Sequence, residues 1–340
     1  MSVPGRIPLN LVNELLRVDG LTKHFVLQGG RVLRALDDVS FNVDKGETLA
    51  LVGESGCGKS TVARCLMRLL EPTSGRIMFR GREVTRRGAT ELRRHMQIVF
   101  QNPMASLDSR QSVESILTEP LEIHRIGDKA TRRARALELL EQVGLEARDI
   151  DRYPHSFSGG QLQRIAIARA LALKPQLIIC DEAVSALDVS IQAQIIQLLL
   201  DLQSTLGLAY LFITHNLAIV PHLAAKVAVM YLGRVVEIGD TGTVFEDPQH
   251  PYTQALLSSV LSADPAVERG RPTIELPGEV PNAVKLPSGC RFHPRCFRAQ
   301  PKCGQVEPLL EQLRGARSAA CFFPGSYSSQ GKAIKAVVST

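Results

Sequence analysis

Nine consecutive residues constrain this chain more than any other feature: Gly53-Glu54-Ser55-Gly56-Cys57-Gly58-Lys59-Ser60-Thr61. They match G-x-x-x-x-G-K-[ST], a phosphate-cradling P-loop. Before them, Thr48-Leu49-Ala50-Leu51-Val52 is a short apolar run that reads as a buried strand. After them, Val62, Ala63, Leu66, Leu69 and Leu70 recur at helical spacing. Gly53, Gly56 and Gly58 let the backbone turn tightly and aim its N–H groups at phosphate oxygens. The helix that follows points its positive end at the same anion. Lys59 adds a mobile charge for the β- and γ-phosphates, and the Ser60 hydroxyl is placed to ligate Mg²⁺. The Thr61 hydroxyl then lies near the α-phosphate. At ordinary glycine usage, chance would produce the four fixed positions in about one chain in a hundred of this length. The flanking strand and helix make a nucleotide site the expectation.

The rest of the composition bounds where such a site can sit. The chain has 340 residues, enough for one large domain and an appendage. Its apolar fraction of 44% and charged fraction of 22% are those of an ordinary globular protein. No run approaches the ~18 apolar residues of a membrane span, and the first residues lack a secretory signal pattern. A cytosolic protein, or one held at a membrane by partners, is expected. The net charge of +6 is mild. The basic clusters at Arg86-Arg87, Arg93-Arg94-His95 and Arg132-Arg133-Ala134-Arg135 read as solvated helix faces, with contact to nucleic acid or an anionic leaflet as the alternative. With no Trp in the chain, a base-stacking platform is not suggested.

In chain order, residues 15–26 read as a strand pair and residues 35–43 as another strand. Phe25 lies in this early sheet, where it is either core or a stacking surface for an adenine ring. Residues 90–95 read as a basic helix, and residues 96–100 as a strand ending at Gln101, which is placed to ligate Mg²⁺ or orient a water. Residues 113–145 are mostly helical, with Gly144 a C-cap. Ser158 then caps a helix, and Ser158-Gly159-Gly160-Gln161 at its N-terminus is a second potential anion site. The apolar strand 177–180 ends in Asp181-Glu182. Beside a P-loop, Asp181 suits Mg²⁺ held through water and Glu182 suits a general base for an attacking water. Ser185-Ala186-Leu187-Asp188 leads into an amphipathic helix, and the strand 208–213 runs into Thr214-His215-Asn216. Strand ends on one sheet edge converge on one ligand, which places His215 near a γ-phosphate. Residues 227–238 resemble a hairpin turning at Leu232-Gly233, and a helix is expected at 252–261. Proline becomes frequent near residue 250, where a boundary is expected.

Together these residues resemble an ATP-binding-cassette (ABC) subunit. Phe25 matches the adenine-stacking A-loop, residues 53–61 Walker A, and Gln101 the Q-loop. Ser158, Gly159, Gly160 and Gln161 match the signature. Residues 177–182 match Walker B with its catalytic Glu182, residues 185–188 the D-loop with Asp188, and His215 the switch histidine. Residues 100–107, 181–190, 231–234 and 250–257, with the cysteine-bearing tail, further resemble the oligopeptide/dipeptide importer ATPases, closest to the dipeptide type. Ala183, Asn216, Phe157 and Leu162 depart from that pattern, and none removes a catalytic side chain. The resemblance implies an α/β P-loop fold: a RecA-like core with antiparallel β and helical subdomains, and a small C-terminal extension. The boundaries expected are 1–250 for the cassette, with the helical part near 102–165, and 251–340 for the extension.

The resemblance also implies a mechanism and partners. Two such chains, the second a sister ATPase, close head to tail over two ATP molecules. Glu182 activates water, and closure drives two transmembrane permease subunits fed by an extracytoplasmic solute-binding protein. The chain would sit peripherally on the cytoplasmic face of the inner membrane, with no nucleic acid expected. Two other readings stay open: a soluble ABC ATPase acting on nucleic acid or ribosomes, and a non-hydrolysing regulatory subunit, which Glu182 and His215 oppose. Cys57, Cys65 and Cys180 read as small buried residues. Cys290, Cys296, Cys303 and Cys321 form a Cys₄ set that suits zinc or an iron–sulfur cluster, without paired C-x₂-C knuckles. The resemblance points to a [4Fe–4S] cluster. The alternative is thiols that only pack a small subdomain.

Overall fold

A computed structural model of the chain describes residues 13–260 and 273–325. It opens with two long antiparallel strands, β1 (Glu14–Val26) and β2 (Val32–Asp44). Alternation in β2 sends Val39, Phe41 and Val43 inward, and the irregularity at Asp38 brings Leu36 to the same face. A strand pair was expected within residues 15–26, but β1 is one strand whose register against β2 shifts repeatedly. Gly20 at φ 60° and Asp38 at φ 62° take up these bulges, which bend the strand without reversing it.

The next stretch alternates strands and helices: β3 (Thr48–Val52), α1 (Lys59–Leu66), β4 (Ser74–Phe79), β5 (Arg82–Glu83), α2 (Ala89–His95) and β6 (Met96–Phe100). β4 pairs with β1 and carries β5, so the first sheet runs β2-β1-β4-β5. A helical layer follows, made of α3 (Pro103–Ser106), α4 (Val113–Ile123), α5 (Lys129–Gln142) and α6 (Gly159–Leu171). The helical stretch expected over 113–145 is broken between α4 and α5. Arg125 (φ 55°) and Gly127 (φ 65°) turn the chain there. Asp128 restarts it by accepting from the Thr131 N–H at 2.8 Å. Ile116, Leu117, Leu139, Leu140 and Ile165 close this layer into its own apolar cluster.

The chain then runs β7 (Leu177–Asp181), α7 (Val189–Leu206), β8 (Ala209–Thr214), α8 (Val220–Leu223), β9 (Lys226–Tyr231) and β10 (Arg234–Asp240). It continues with α9 (Thr241–Glu246), α10 (Pro251–Ser258), β11 (Glu311–Gln312) and β12 (Arg317–Ala319). The second sheet has the order β11-β12-β10-β9-β3-β8-β7-β6. Its centre, β9-β3-β8-β7-β6, is parallel. Every residue of β3, β7 and β8 is buried. Such continuous apolar runs belong to a parallel sheet covered on both faces.

The residues beyond 250 are tied into this sheet. β12 pairs antiparallel with β10. Buried Glu237 on β10 accepts from the backbone N–H groups of Gln249 (2.7 Å) and His250 (2.9 Å). The weak apolar periodicity of this region hides how deeply α10 lies: Tyr252, Thr253 and Gln254 are all buried. Cys57, Cys65 and Cys180 are buried free thiols, as expected. Among the described residues no helix is long and apolar enough to cross a membrane.

His250 is expected to make this junction acid-sensitive. Its Nδ1 accepts from the Tyr252 N–H at 3.1 Å, and burial pushes its pKa down to about 3. An unfolded histidine titrates near 6.5. Between those values the unfolded chain holds a proton that the folded chain excludes, so this contribution to stability falls as pH falls. The slope is at most about 1.4 kcal/mol per pH unit. Glu237, whose carboxyl burial pushes up, pulls the other way. The loss of urea midpoint from pH 7 to pH 5 is therefore expected to be smaller in His250→Asn than in the parent chain. Equal losses in both would remove the histidine from the account.

Candidate functional site

Sheet register assembles the site. Phe100 lies beside Asp181, Asp181 beside Ile213, and Val52 beside Thr214. Four parallel strands thus end at one level, and the residues just past those ends are Gly53, Gln101, Glu182 and His215. This is the edge of an open α/β sheet where ligands bind.

The loop between β3 and α1 is shaped by backbone that tolerates no side chain at two of its glycines. Gly53 has φ 152°, and a Cβ there would stand 2.3 Å from the Met230 carbonyl oxygen. Gly58 has φ 111°, and its Cβ would stand 2.5 Å from the Ala35 carbonyl oxygen. The Gly233 N–H donates to the Cys57 carbonyl at 2.9 Å and ties the loop to the β9–β10 turn. Ser55 and Gly56 are exposed, while Glu54 is partly covered. The Lys59 ammonium is 4% exposed and donates to the Gly53 carbonyl (2.8 Å) and the Glu54 carbonyl (3.0 Å). Thr61 follows in the first turn of α1, partly exposed.

Ser60 Oγ donates to Asp181 Oδ1 at 2.9 Å. Burial pushes the Asp181 carboxyl up, and the Ser60 bond and Lys59 oppose that push. A hydroxyl and a carboxylate brought together from α1 and β7 are the hard oxygen donors that Mg²⁺ takes. A bound cation would remove the penalty that burial places on the charged carboxylate. The pair therefore fits the ion.

Glu182 takes the left-handed conformation at φ 52°, which turns its carboxylate out of the strand. Its Oε2 lies 3.2 Å from His215 Nδ1. Gln101 is exposed and donates to Ser185 Oγ at 3.1 Å, and that hydroxyl donates to the Glu182 carbonyl at 2.9 Å. A continuous polar contact thus joins Gln101, Ser185 and the backbone of Glu182. Asp188 is exposed at the N-terminus of α7, where its side chain makes no cap bond.

Two further expected stretches lie on other elements. Phe25 is half-buried near the end of β1, paired with Leu33, with the Lys23 ammonium 4.9 Å from its ring centre. Ser158 and Gly159 are exposed, and Gly160 and Gln161 partly so. Ser158 Oγ accepts from the Gln161 N–H, and Gln161 Oε1 accepts from the Ser158 N–H at 3.0 Å. This reciprocal cap fixes the start of α6, which packs with α3, α4, α5, β6 and α7. Gly160 is pressed against α7, since a Cβ there would stand 2.7 Å from Ile191 Cγ2.

Cys290, Cys296, Cys303 and Cys321 line one cavity with His250, Phe292, Phe322 and Phe323. Burial pushes the Cys290 thiol up to about 11 and also raises Cys296 and Cys321. Among the described residues no group of three or more His, Cys, Asp or Glu side chains is arranged to hold a metal ion. The expected [4Fe–4S] cluster is not supported. The apolar wall favours protonated thiols over the thiolates that ligation needs.

Local sequence reading missed the residues that support the loop from behind: Ala35, Met230, Gly233, Tyr252 and Arg295. Gly233 and Tyr252 lie in stretches that carry the family resemblance, but the contact of all five with the loop arises only through the tertiary fold.

Comparison with known proteins identifies the family. Residues 36–185 match the family model "ABC transporter", and residues 236–303 match "Oligopeptide/dipeptide transporter, C-terminal region". The "Probable peptide ABC transporter ATP-binding protein y4tS" of Sinorhizobium fredii is 51% identical over 318 residues, covering 91% of this chain and 90% of that one. The chain belongs to the oligopeptide/dipeptide family of ABC transporter ATP-binding subunits. The "Dipeptide transport ATP-binding protein DppF" of Haemophilus influenzae is 48% identical over 316 residues, covering 91% of this chain and 96% of that one. Among solved structures, the ATP-binding cassette MJ0796, a dimer in a post-hydrolysis state bound to ADP and Pi, is 30% identical with a TM-score of 0.60. It covers 67% of this chain and 99% of its own. The fold is accordingly that of a P-loop ABC ATPase.

Proposed function

We propose that this chain is an ATP-hydrolysing subunit that powers uptake of di- or oligopeptides through a membrane ABC importer. One observation carries the mechanism. The strand ends gather Lys59, Ser60, Asp181, Glu182, His215 and Gln101 at one sheet edge. The capped, exposed N-terminus of α6 sits on a separate helical layer.

In this reading the loop amides and Lys59 bind the phosphates of ATP, and Phe25 stacks on its adenine. Ser60, Asp181 and Gln101 would hold Mg²⁺, which when bound supplies charge stabilisation to the β- and γ-phosphate oxygens. Glu182 takes the proton of the attacking water. His215, in contact with Glu182, orients that carboxylate and reaches the γ-phosphate side. Ser158, Gly159, Gly160 and Gln161 present an anion-binding helix end to the ATP of a second cassette, with Asp188 at the shared seam. The Ser158 hydroxyl, which accepts inside its own cap, keeps its proton for that phosphate. A head-to-tail pair uses both halves of each chain. The dimeric MJ0796 cassette supports this arrangement.

The names of the relatives favour transport over a role on nucleic acid or ribosomes. The partners in this reading are a sister ATPase, two transmembrane permeases and an extracytoplasmic binding protein. The chain then lies peripherally on the cytoplasmic face of the inner membrane. The cassette spans residues 1–250 and the remainder forms the importer-type C-terminal part. Tagged chain drawn from its own cell membranes in mild detergent is expected to bring down two multispan permeases and a sister ATPase. Recovery from the soluble fraction only, with ribosomes or nucleic acid, would overturn the importer reading.

A further inference from the structure

Every polar group of Glu54, the first variable residue of the phosphate loop, is engaged. Its carbonyl accepts from Lys59 at 3.0 Å. Its backbone N–H donates to Tyr252 Oη at 2.9 Å. Its carboxylate accepts from Arg295 Nη1 at 3.0 and 3.3 Å. Tyr252 and Arg295 stand 198 and 241 positions away in sequence. Both lie beyond β10, in the part of the chain that carries the importer-type match.

The two side chains are themselves held. Tyr252 is fully buried in a cluster with Tyr231 (ring centres 4.6 Å apart) and Phe292 (5.4 Å). Arg295 is 8% exposed, and its Nη1 also reaches Tyr231 Oη at 3.5 Å. Four residues earlier, Arg291 donates to the Leu232 carbonyl at 2.6 Å and to Glu307 at 2.9 Å, and it also bonds Asp37. The segment bearing Arg295 is therefore docked on the body of the protein as a rigid piece.

We propose that Arg295 and Tyr252 are positioning residues for nucleotide binding, acting through Glu54. Two physical effects combine. A loop containing Gly53, Gly56 and Gly58 has much backbone freedom to lose on binding phosphate. Pinning the Glu54 peptide from behind removes part of that cost in advance. Arg295 also offsets the Glu54 carboxylate, a negative charge in the loop that receives a polyanion. The Glu54–Lys59 contact passes both effects to the phosphate-binding lysine.

This inference rests on the ATP reading of the site, and the test separates the two. Full-length chain and variants are titrated with a fluorescent ATP analogue, and thermal melts are recorded without nucleotide. Arg295→Met is expected to weaken binding about tenfold, at the low end of coupling between linked sites. Glu54→Gln added to Arg295→Met is expected to recover most of the loss, because the uncompensated charge is gone. A general folding defect would not be rescued in that way. Tyr252→Phe keeps the ring cluster and is expected to weaken binding by a smaller factor. Arg295→Lys is expected to restore part of the affinity. Should Arg295→Met fail to fold, the Lys and Phe variants decide the matter. Unchanged affinity in those variants, or no recovery in the double variant, overturns the inference. A parent chain that binds no ATP overturns the ATP reading instead.

Discussion

Glu182→Gln is expected to lower steady-state ATP hydrolysis by about 10²–10⁴-fold, the range lost when a general base is removed, while ATP binding is kept. The substitution preserves size and hydrogen-bonding shape, so the left-handed turn after β7 and the contact with His215 are retained. What disappears is a carboxylate able to take a proton. The residues of the loop and α1 proposed to bind ATP are untouched. If two cassettes close over two ATP molecules, a chain that binds without hydrolysing should accumulate as the closed pair. Sedimentation of the variant with and without ATP reads this directly. Hydrolysis near the parent rate would remove Glu182 from the role of base.

The second large effect is expected at Lys59. Lys59→Met keeps much of the apolar stem and removes the ammonium. Truncating one partner of a buried, hydrogen-bonded charge pair costs about 2–5 kcal/mol. Affinity for ATP should therefore fall by about 30-fold or more, measured by titration with a fluorescent analogue. The parent Lys59 is already held over the loop by two carbonyls. Part of the loss in the variant will therefore come from a looser loop. Methionine that binds ATP within a few-fold of the parent would show that the loop amides alone carry the phosphates.

The cassette was legible because its chemistry is local. A phosphate loop needs its glycines, lysine and hydroxyl within nine positions, and Glu182 must directly follow the strand that carries Asp181. Such constraints leave patterns a linear reading can find. The strand pair expected in residues 15–26 failed for a different reason. Alternation marks extended backbone, but a bulge absorbed at Gly20 and Asp38 does not differ in sequence from a turn. The C-terminal part was hard to read because its burial is not periodic. Its order comes from side chains bonded across the fold, as Glu237 is to the backbone at 249 and 250. The four cysteines suggested a metal site by count, and the family resemblance made it a [4Fe–4S] cluster. Ligation depends on where sulfurs converge and on thiolate stability, neither of which spacing determines.

By itself, then, the sequence determined that the chain is a nucleotide-binding protein and which residues make up its glycine-rich loop. Those residues must be adjacent in the chain to act. Only the tertiary structure decided which distant residues hold that loop in place. It put Met230 against Gly53, Ala35 against Gly58, Gly233 against Cys57, and Tyr252 and Arg295 against Glu54. These contacts join positions up to 241 residues apart. The packing of β9, α10 and the segment around Phe292 sets them, and no short-range pattern encodes that packing.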